Sequence, residues 1–95
     1  MRQYELVVIV RPAADEEKLT GAIERIQTLV TSRGGEVTSV DMWGRRKLAY
    51  PIDRTFEGDY VLAKLSMEGS ITRDLEAALA ISEDVLRHLL VRLDN

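Results

Sequence analysis

Residues Leu6-Val7-Val8-Ile9-Val10 are apolar at every position. A half-buried element shows polar residues on one side, whereas this run is apolar on both faces, the pattern of a central strand. The run is too short for a buried helix, and β-branched side chains dominate it. Gln3 to Val10 therefore reads as a central strand. Arg11-Pro12 ends it, because proline lacks the N–H that a central ladder needs. A central strand demands a further strand on either side, which sets the terms for the rest of the chain.

The next segment supplies a covering helix. Asp15 is placed as an N-cap, and Glu16 and Glu17 suit the positive end of a helix. Leu19, Ala22, Ile23, Ile26, Leu29 and Val30 recur in steps of three and four, so one stripe faces a core. Gly34-Gly35 supplies a left-handed stop. Glu36 to Tyr50 reads as a long strand that runs into a basic stretch, with Gly44 marking a bulge or a close backbone approach. Pro51 to Gly58 reads as a turn-like segment, and Tyr60 to Met67 as the third strand. A second helix opens at Gly69-Ser70, with Ser70 as cap and Ile71, Leu75, Ala78 and Leu79 as its stripe. Ser82-Glu83-Asp84 breaks it, and Val85 to Leu93 alternates as the last strand.

The order strand, helix, strand, strand, helix, strand predicts an α+β fold. It is the ferredoxin-like split βαβ (βαββαβ) arrangement: a four-stranded antiparallel sheet with two helices on one face. The other face is left open as a docking surface. With 95 residues there is room for one core, so residues 1–95 form a single domain. Hydrophobic residues at 45% and charged residues at 31% place the chain among globular rather than disordered sequences.

Composition also limits chemistry. The chain has no Cys and one His, His88, so thiolate sites, metal clusters and His-based triads lack partners. The carboxylates of Glu16, Glu17, Glu83 and Asp84 sit at element ends, and no phosphate-cradling glycine pattern occurs. No catalysis, metal, cofactor or small-molecule substrate is expected. The N-terminus has no signal-peptide pattern and no apolar run approaches a membrane span, so a cytoplasmic location without membrane contact is the expectation. The net charge of −3 means that any nucleic-acid contact must come from a local patch, and Arg45-Arg46-Lys47 is the uninterrupted one.

That patch opens the segment Gly44-Arg45-Arg46-Lys47-Leu48-Ala49-Tyr50-Pro51-Ile52. It closely resembles the signature of the bacterial small-subunit ribosomal protein six family. There, a glycine and basic residues lead into Leu-Ala-Tyr, with Ile one residue further on. The start, Arg2-Gln3-Tyr4-Glu5, and the basic final strand from Val85 to Arg92 resemble the family as well. The resemblance covers essentially the whole chain. It implies a structural, non-enzymatic role in the cytoplasmic ribosome. It also implies binding to the central domain of small-subunit ribosomal RNA during platform assembly. The implied protein partner is small-subunit ribosomal protein eighteen, in a heterodimer.

Each candidate residue has a plainer alternative. Arg45, Arg46 and Lys47 either contact phosphates or form a solvated edge. Arg2 either pairs with phosphate or frays. Tyr4 either stacks on an unpaired base or sits at the core edge. Arg87 and Arg92 are further RNA candidates, and strand parity puts them on opposite faces, so they do not act as a pair. Trp43, Leu48 and Tyr50 are the candidates for partner-protein contact, with Trp43 otherwise a core plug.

Three other functions share this element order. An amino-acid-sensing module leaves the basic segment unexplained. An aromatic-sheet RNA-recognition module needs stacking residues where the third strand has Leu62, Ala63 and Lys64 beside Tyr60. An acyl-phosphate hydrolase needs a glycine-bearing phosphate loop after the first strand, and Val10-Arg11-Pro12-Ala13-Ala14 has no glycine.

Overall fold

A computed structural model of the chain describes residues 1–12 and 16–93. The elements run β1 (Arg2–Val10), α1 (Glu16–Ser32), β2 (Glu36–Ile52), β3 (Thr55–Met67), α2 (Ile71–Ile81) and β4 (Val85–Arg92). The four strands form one sheet in the order β2-β3-β1-β4, and the pairings β1–β3, β1–β4 and β2–β3 are all antiparallel. The expected ferredoxin-like architecture is therefore present. Strand β1, with its apolar run Leu6 to Val10, is a central strand, flanked by β3 and β4.

Strand parity sorts the sheet faces. Tyr4, Leu6, Val8 and Val10 of β1 point to the same side as Val61, Ala63, Leu65 and Met67 of β3, and all eight are buried. Ala22 and Val30 of α1 and Ile71, Leu75 and Leu79 of α2 complete that core. Both helices thus cover one face, because each presents one apolar stripe at helical spacing. On the other face lie Val7, Ile9, Tyr60 and Leu62, with Leu89 paired to Val7 and Arg87 paired to Ile9. No helix covers them.

The loops show how local chemistry sets the boundaries. Helix α1 ends in a Schellman arrangement: Gly34 N–H donates to Thr31 O at 3.1 Å and Gly35 N–H to Val30 O at 2.9 Å. Gly34 has φ +86°, the left-handed value that this ending requires. A Cβ on Gly35 would lie 2.8 Å from Val30 Cγ1 and 2.9 Å from Met67 Cβ, while one on Gly21 inside α1 would meet nothing within 4 Å. Gly35→Ala should therefore destabilise by about 1–3 kcal/mol through overpacking. Gly21→Ala should stabilise by about 0.5–1 kcal/mol through helix propensity. Urea melts of the two variants measure both, and equal signs would contradict the packing described.

Two sequence expectations change. The segment Pro51 to Gly58 is mostly strand. The turn contracts to Asp53-Arg54, which have φ 49° and 61° and join Ile52 to Thr55. Two consecutive positive φ values make a two-residue hairpin turn whose twist matches that of the strands. Pro51 fits because β2 is an edge strand and one N–H can be spared. At α2, Ser70 occupies the cap position but makes no side-chain bond. The helix start is held instead by Ile71 N–H to Glu68 O at 3.0 Å and by the Thr72 hydroxyl to Gly69 O at 2.7 Å. The expected Asp15 cap and the side chain of Glu16 lie outside the described residues.

Candidate nucleic-acid interface

The β2–β3 hairpin is longer than the sheet it belongs to. Strand β1 stays paired with β3 only as far as Val10↔Asp59, whereas β2 and β3 continue to Ile52↔Thr55. The basic segment begins at the last supported row, Arg45↔Asp59, and continues into the overhang with Arg46 and Lys47. Its backbone is offset at Met42/Gly44, where Gly44 takes φ +86°, so the expected bulge is present and re-aims the residues that follow.

The three cations of the segment have different surroundings. Arg45 lies opposite Asp59 and grips it with two donors, Nε to Oδ1 at 3.2 Å and Nη2 to Oδ2 at 3.4 Å. The Asp59 side chain is only 10% exposed, so its carboxylate depends on that partner. The hydrogen bond to Asp59, reinforced by its charge, raises the Arg45 pKa above the ordinary guanidinium value. A raised cation pKa adds stability that is present at every pH below that value, so on the arginine side this pair does not switch near neutrality. Arg46 places its guanidinium over the Trp43 ring at 5.5 Å from the centroid, within cation–π range. Lys47 is exposed and lies opposite Glu57.

The remaining candidates divide by face. Arg87 projects on the helix-free side, and its Nη1 donates to the Tyr50 hydroxyl, tying β4 to the hairpin. Arg92 lies opposite Tyr4, on the helix side, so the two arginines are on opposite faces as parity requires. Arg2 is exposed at the start of β1. Tyr4 is corrected: it is 6% exposed and shares the face of Leu6, Val8 and Val10. A ring packed beneath the helices cannot stack on a base without opening the core. Trp43 is 45% exposed, which excludes the core-plug reading; Tyr50 is 54% exposed and Leu48 half-buried.

Two features were missed in the sequence. Phe56 is 69% exposed near the hairpin tip, within a segment read as a turn. Together with Met42, Trp43 and Tyr50 it makes the hairpin rich in exposed apolar surface; Leu89, Val91 and Leu93 form a second strip along and just beyond β4. Arg11 was read only as a strand stop, yet it reaches the hairpin turn with Nη2 to Asp53 Oδ2 at 2.7 Å. Strand termination gives no signal of that contact, since Asp53 lies 42 residues away.

Nothing in this arrangement resembles a catalytic constellation. Among the described residues no group of three or more His, Cys, Asp or Glu is placed to hold a metal, and no helix is long and apolar enough to cross a membrane. His88 is half-buried opposite Val8.

Comparisons with known proteins agree with one another. The family model described as Ribosomal protein S6 matches residues 3–92. "Small ribosomal subunit protein bS6" of Caldanaerobacter subterraneus is 44% identical over 95 residues, covering 100% of both chains. The protein of the same name from Clostridium acetobutylicum is 39% identical, again over 100% of both. The crystal structure of 30S ribosomal protein S6 from Thermotoga maritima superposes with a TM-score of 0.90 at 29% identity, covering 97% of this chain and 87% of that one. The C-terminal domain of the MgtC protein from Mycobacterium tuberculosis matches with a TM-score of 0.69 at 18% identity, which speaks for the fold alone. The chain belongs to the ribosomal protein S6 family, and it is a structural, non-enzymatic protein of the small subunit of the cytoplasmic ribosome.

Proposed function

We propose that the chain binds the central domain of small-subunit ribosomal RNA as a heterodimer with small-subunit ribosomal protein eighteen during platform assembly. The observation that carries this reading is the overhanging β2–β3 hairpin. It presents Arg46 and Lys47 beside exposed Trp43, Tyr50 and Phe56, so cationic and apolar surface occur together. Cations suit phosphate, and uncovered aromatic surface suits a protein partner. Arg46 and Lys47 are assigned to phosphate, with Arg2, Arg87 and Arg92 as further RNA contacts. Trp43, Leu48 and Tyr50 are assigned to the partner. Arg45 holds the ribbon through Asp59 and serves RNA indirectly.

This division makes a measurable difference between adjacent arginines. Arg46→Ala should flatten the slope of log affinity against log salt by about 0.7–0.9, the share of one phosphate contact. Arg45→Ala should leave that slope unchanged and lower the thermal midpoint instead, because a mostly buried carboxylate loses its partner. Salt titrations and melts of both variants distinguish them; a slope change at Arg45 alone would reverse the assignment. The function itself is tested by titrating central-domain RNA with this chain alone, with the partner alone, and with both. Tight binding by this chain alone, equal to the mixture, would remove the heterodimer mechanism.

A further inference from the structure

We infer that Arg11 is a positioning residue that sets the orientation of the RNA-binding hairpin by clamping its tip to the α2–β4 connection. The inference rests on the RNA-binding role proposed for that hairpin and adds the residue that aims it.

The overhang creates the need. Beyond Val10↔Asp59 no third strand pairs with the hairpin among the described residues; Arg87 of β4 reaches Tyr50 by its side chain only, and a two-stranded ribbon alone is marginally ordered in water. Arg11 is the residue immediately after β1, where that support stops. Its guanidinium reaches three acceptors on two separate segments. Nη2 donates to Asp53 Oδ2 at 2.7 Å and Nη1 to Thr55 Oγ1 at 3.2 Å, both at the hairpin turn. Nε donates to Glu83 O at 3.2 Å, between α2 and β4. The Arg11 backbone N–H is itself fixed to Asp84 O at 2.7 Å, so the base of the clamp is anchored in the same connection.

The residue type matters. A planar guanidinium fixes several acceptors in one geometry, whereas an ammonium is a point charge. The turn also tolerates removal of its own half of the clamp: Asp53 has φ 49°, a value that glycine adopts without strain. The Asp53 carboxylate is therefore spent on the clamp rather than required by the turn. An isolated ion pair this exposed, with side chains 40% and 70% accessible, contributes little by itself. Its effect lies in how the ribbon is held: Arg46 and Lys47 lie between the supported row at Arg45↔Asp59 and the clamped turn, so a change in the tilt of the ribbon shifts them relative to their phosphates.

The experiment uses the full chain with its partner protein and central-domain RNA. Arg11→Ala, Arg11→Lys and Asp53→Gly are each compared with wild type for affinity and salt slope. All three should bind about 3- to 10-fold more weakly with an unchanged slope. Asp53→Gly is the sharpest arm. Deleting an acid near RNA strengthens binding if only charge matters, and weakens it if the clamp aims the hairpin. The proposal is overturned by tighter binding of Asp53→Gly, by full rescue with Arg11→Lys, or by a slope that falls by about 0.7–0.9 in Arg11→Ala, which would make Arg11 a phosphate contact. Amide hydrogen exchange on the isolated chain gives a reading that needs no RNA. Arg11→Ala and Asp53→Gly should speed exchange from Ile52 to Gly58 and leave Leu6 and Val8 unchanged. If wild type fails to bind RNA even with the partner, the functional reading fails, and exchange still decides the clamp: unaltered hairpin protection in both variants would overturn it.

Discussion

Leu6→Ala is expected to destabilise the protein by about 2–5 kcal/mol, the range for deleting a fully buried leucine side chain. Leu6 is 0% exposed in the middle of β1, paired with Ala63 on one side and Leu90 on the other. Ile23, Ile26, Val37 and Val40 line the same part of the core, where the residual cavity is only about 10 Å³. Little free space means little slack, so the deletion leaves a hole that β-sheet neighbours cannot close by small shifts. A domain of this size has total stability of about 5–15 kcal/mol, so the loss consumes a large share of it. Leu89→Ala is the control. Leu89 occupies the adjoining strand on the helix-free face at 59% exposure, and its removal should change stability by no more than about 0.5 kcal/mol. Urea unfolding checks both: the midpoint should fall for Leu6→Ala with the slope unaltered, and stay for Leu89→Ala. Equal midpoints for the two variants would mean that the core is not on the helix side.

That pair of leucines shows what was legible in the sequence. Periodicity 2 in β3 and β4 separated two faces, and steps of three and four in α1 and α2 marked one core-facing stripe, since each period is a property of the local backbone; which sheet face is buried follows from where the helices lie. Gly34-Gly35 and Gly44 were legible for the same reason: left-handed stops and bulges are paid for within a few residues. The turn was not. Pro51, Asp53, Glu57 and Gly58 all favour irregular backbone, yet Glu57 and Gly58 pair with Lys47 and Arg46 across the hairpin, and the turn narrows to Asp53-Arg54. Tyr4 shows a related limit. Its place on the helix-facing side follows from the parity of Leu6, Val8 and Val10, but the depth of its burial depends on where α2 starts; Gly69 lies close enough that a Cβ there would be 3.6 Å from the Tyr4 hydroxyl.

The candidate site was legible as a segment and not as a set of roles. Arg45, Arg46 and Lys47 are consecutive and chemically alike, so sequence treats them as one patch. Their separation comes from across the sheet: Asp59 stands opposite Arg45, and Glu57 opposite Lys47. Arg46 turns to Trp43 instead. Such pairings depend on the register set by the bulge at Met42/Gly44. A one-residue change in that register would exchange the roles.

The largest expected effect concerns assembly. The mixture of this chain with small-subunit ribosomal protein eighteen should bind central-domain RNA roughly 10²- to 10⁴-fold more tightly than this chain alone. The net charge of −3 repels RNA at long range. Within the basic segment Arg45 is committed to Asp59, which leaves Arg46 and Lys47 as its phosphate ligands. These two contacts add only about −1.4 to −1.8 to the salt slope, so the basic segment makes a weak electrostatic contribution. The chain's other asset is apolar: Met42, Trp43 and Phe56 are 56%, 45% and 69% exposed on the hairpin. Such surface gains nothing from phosphate and gains from a protein that covers it. A partner docked there brings its own cations to the same RNA, and the second contact becomes intramolecular. Two signatures should appear together in titrations across a salt series. The mixture should show a steeper salt slope than this chain alone, because more phosphates are neutralised. Trp43→Ala should weaken the mixture while leaving the slope of this chain alone unchanged, because the ring serves the protein contact. If the slopes of chain and mixture coincide and Trp43→Ala weakens both equally, the ring faces RNA and the cooperative account fails.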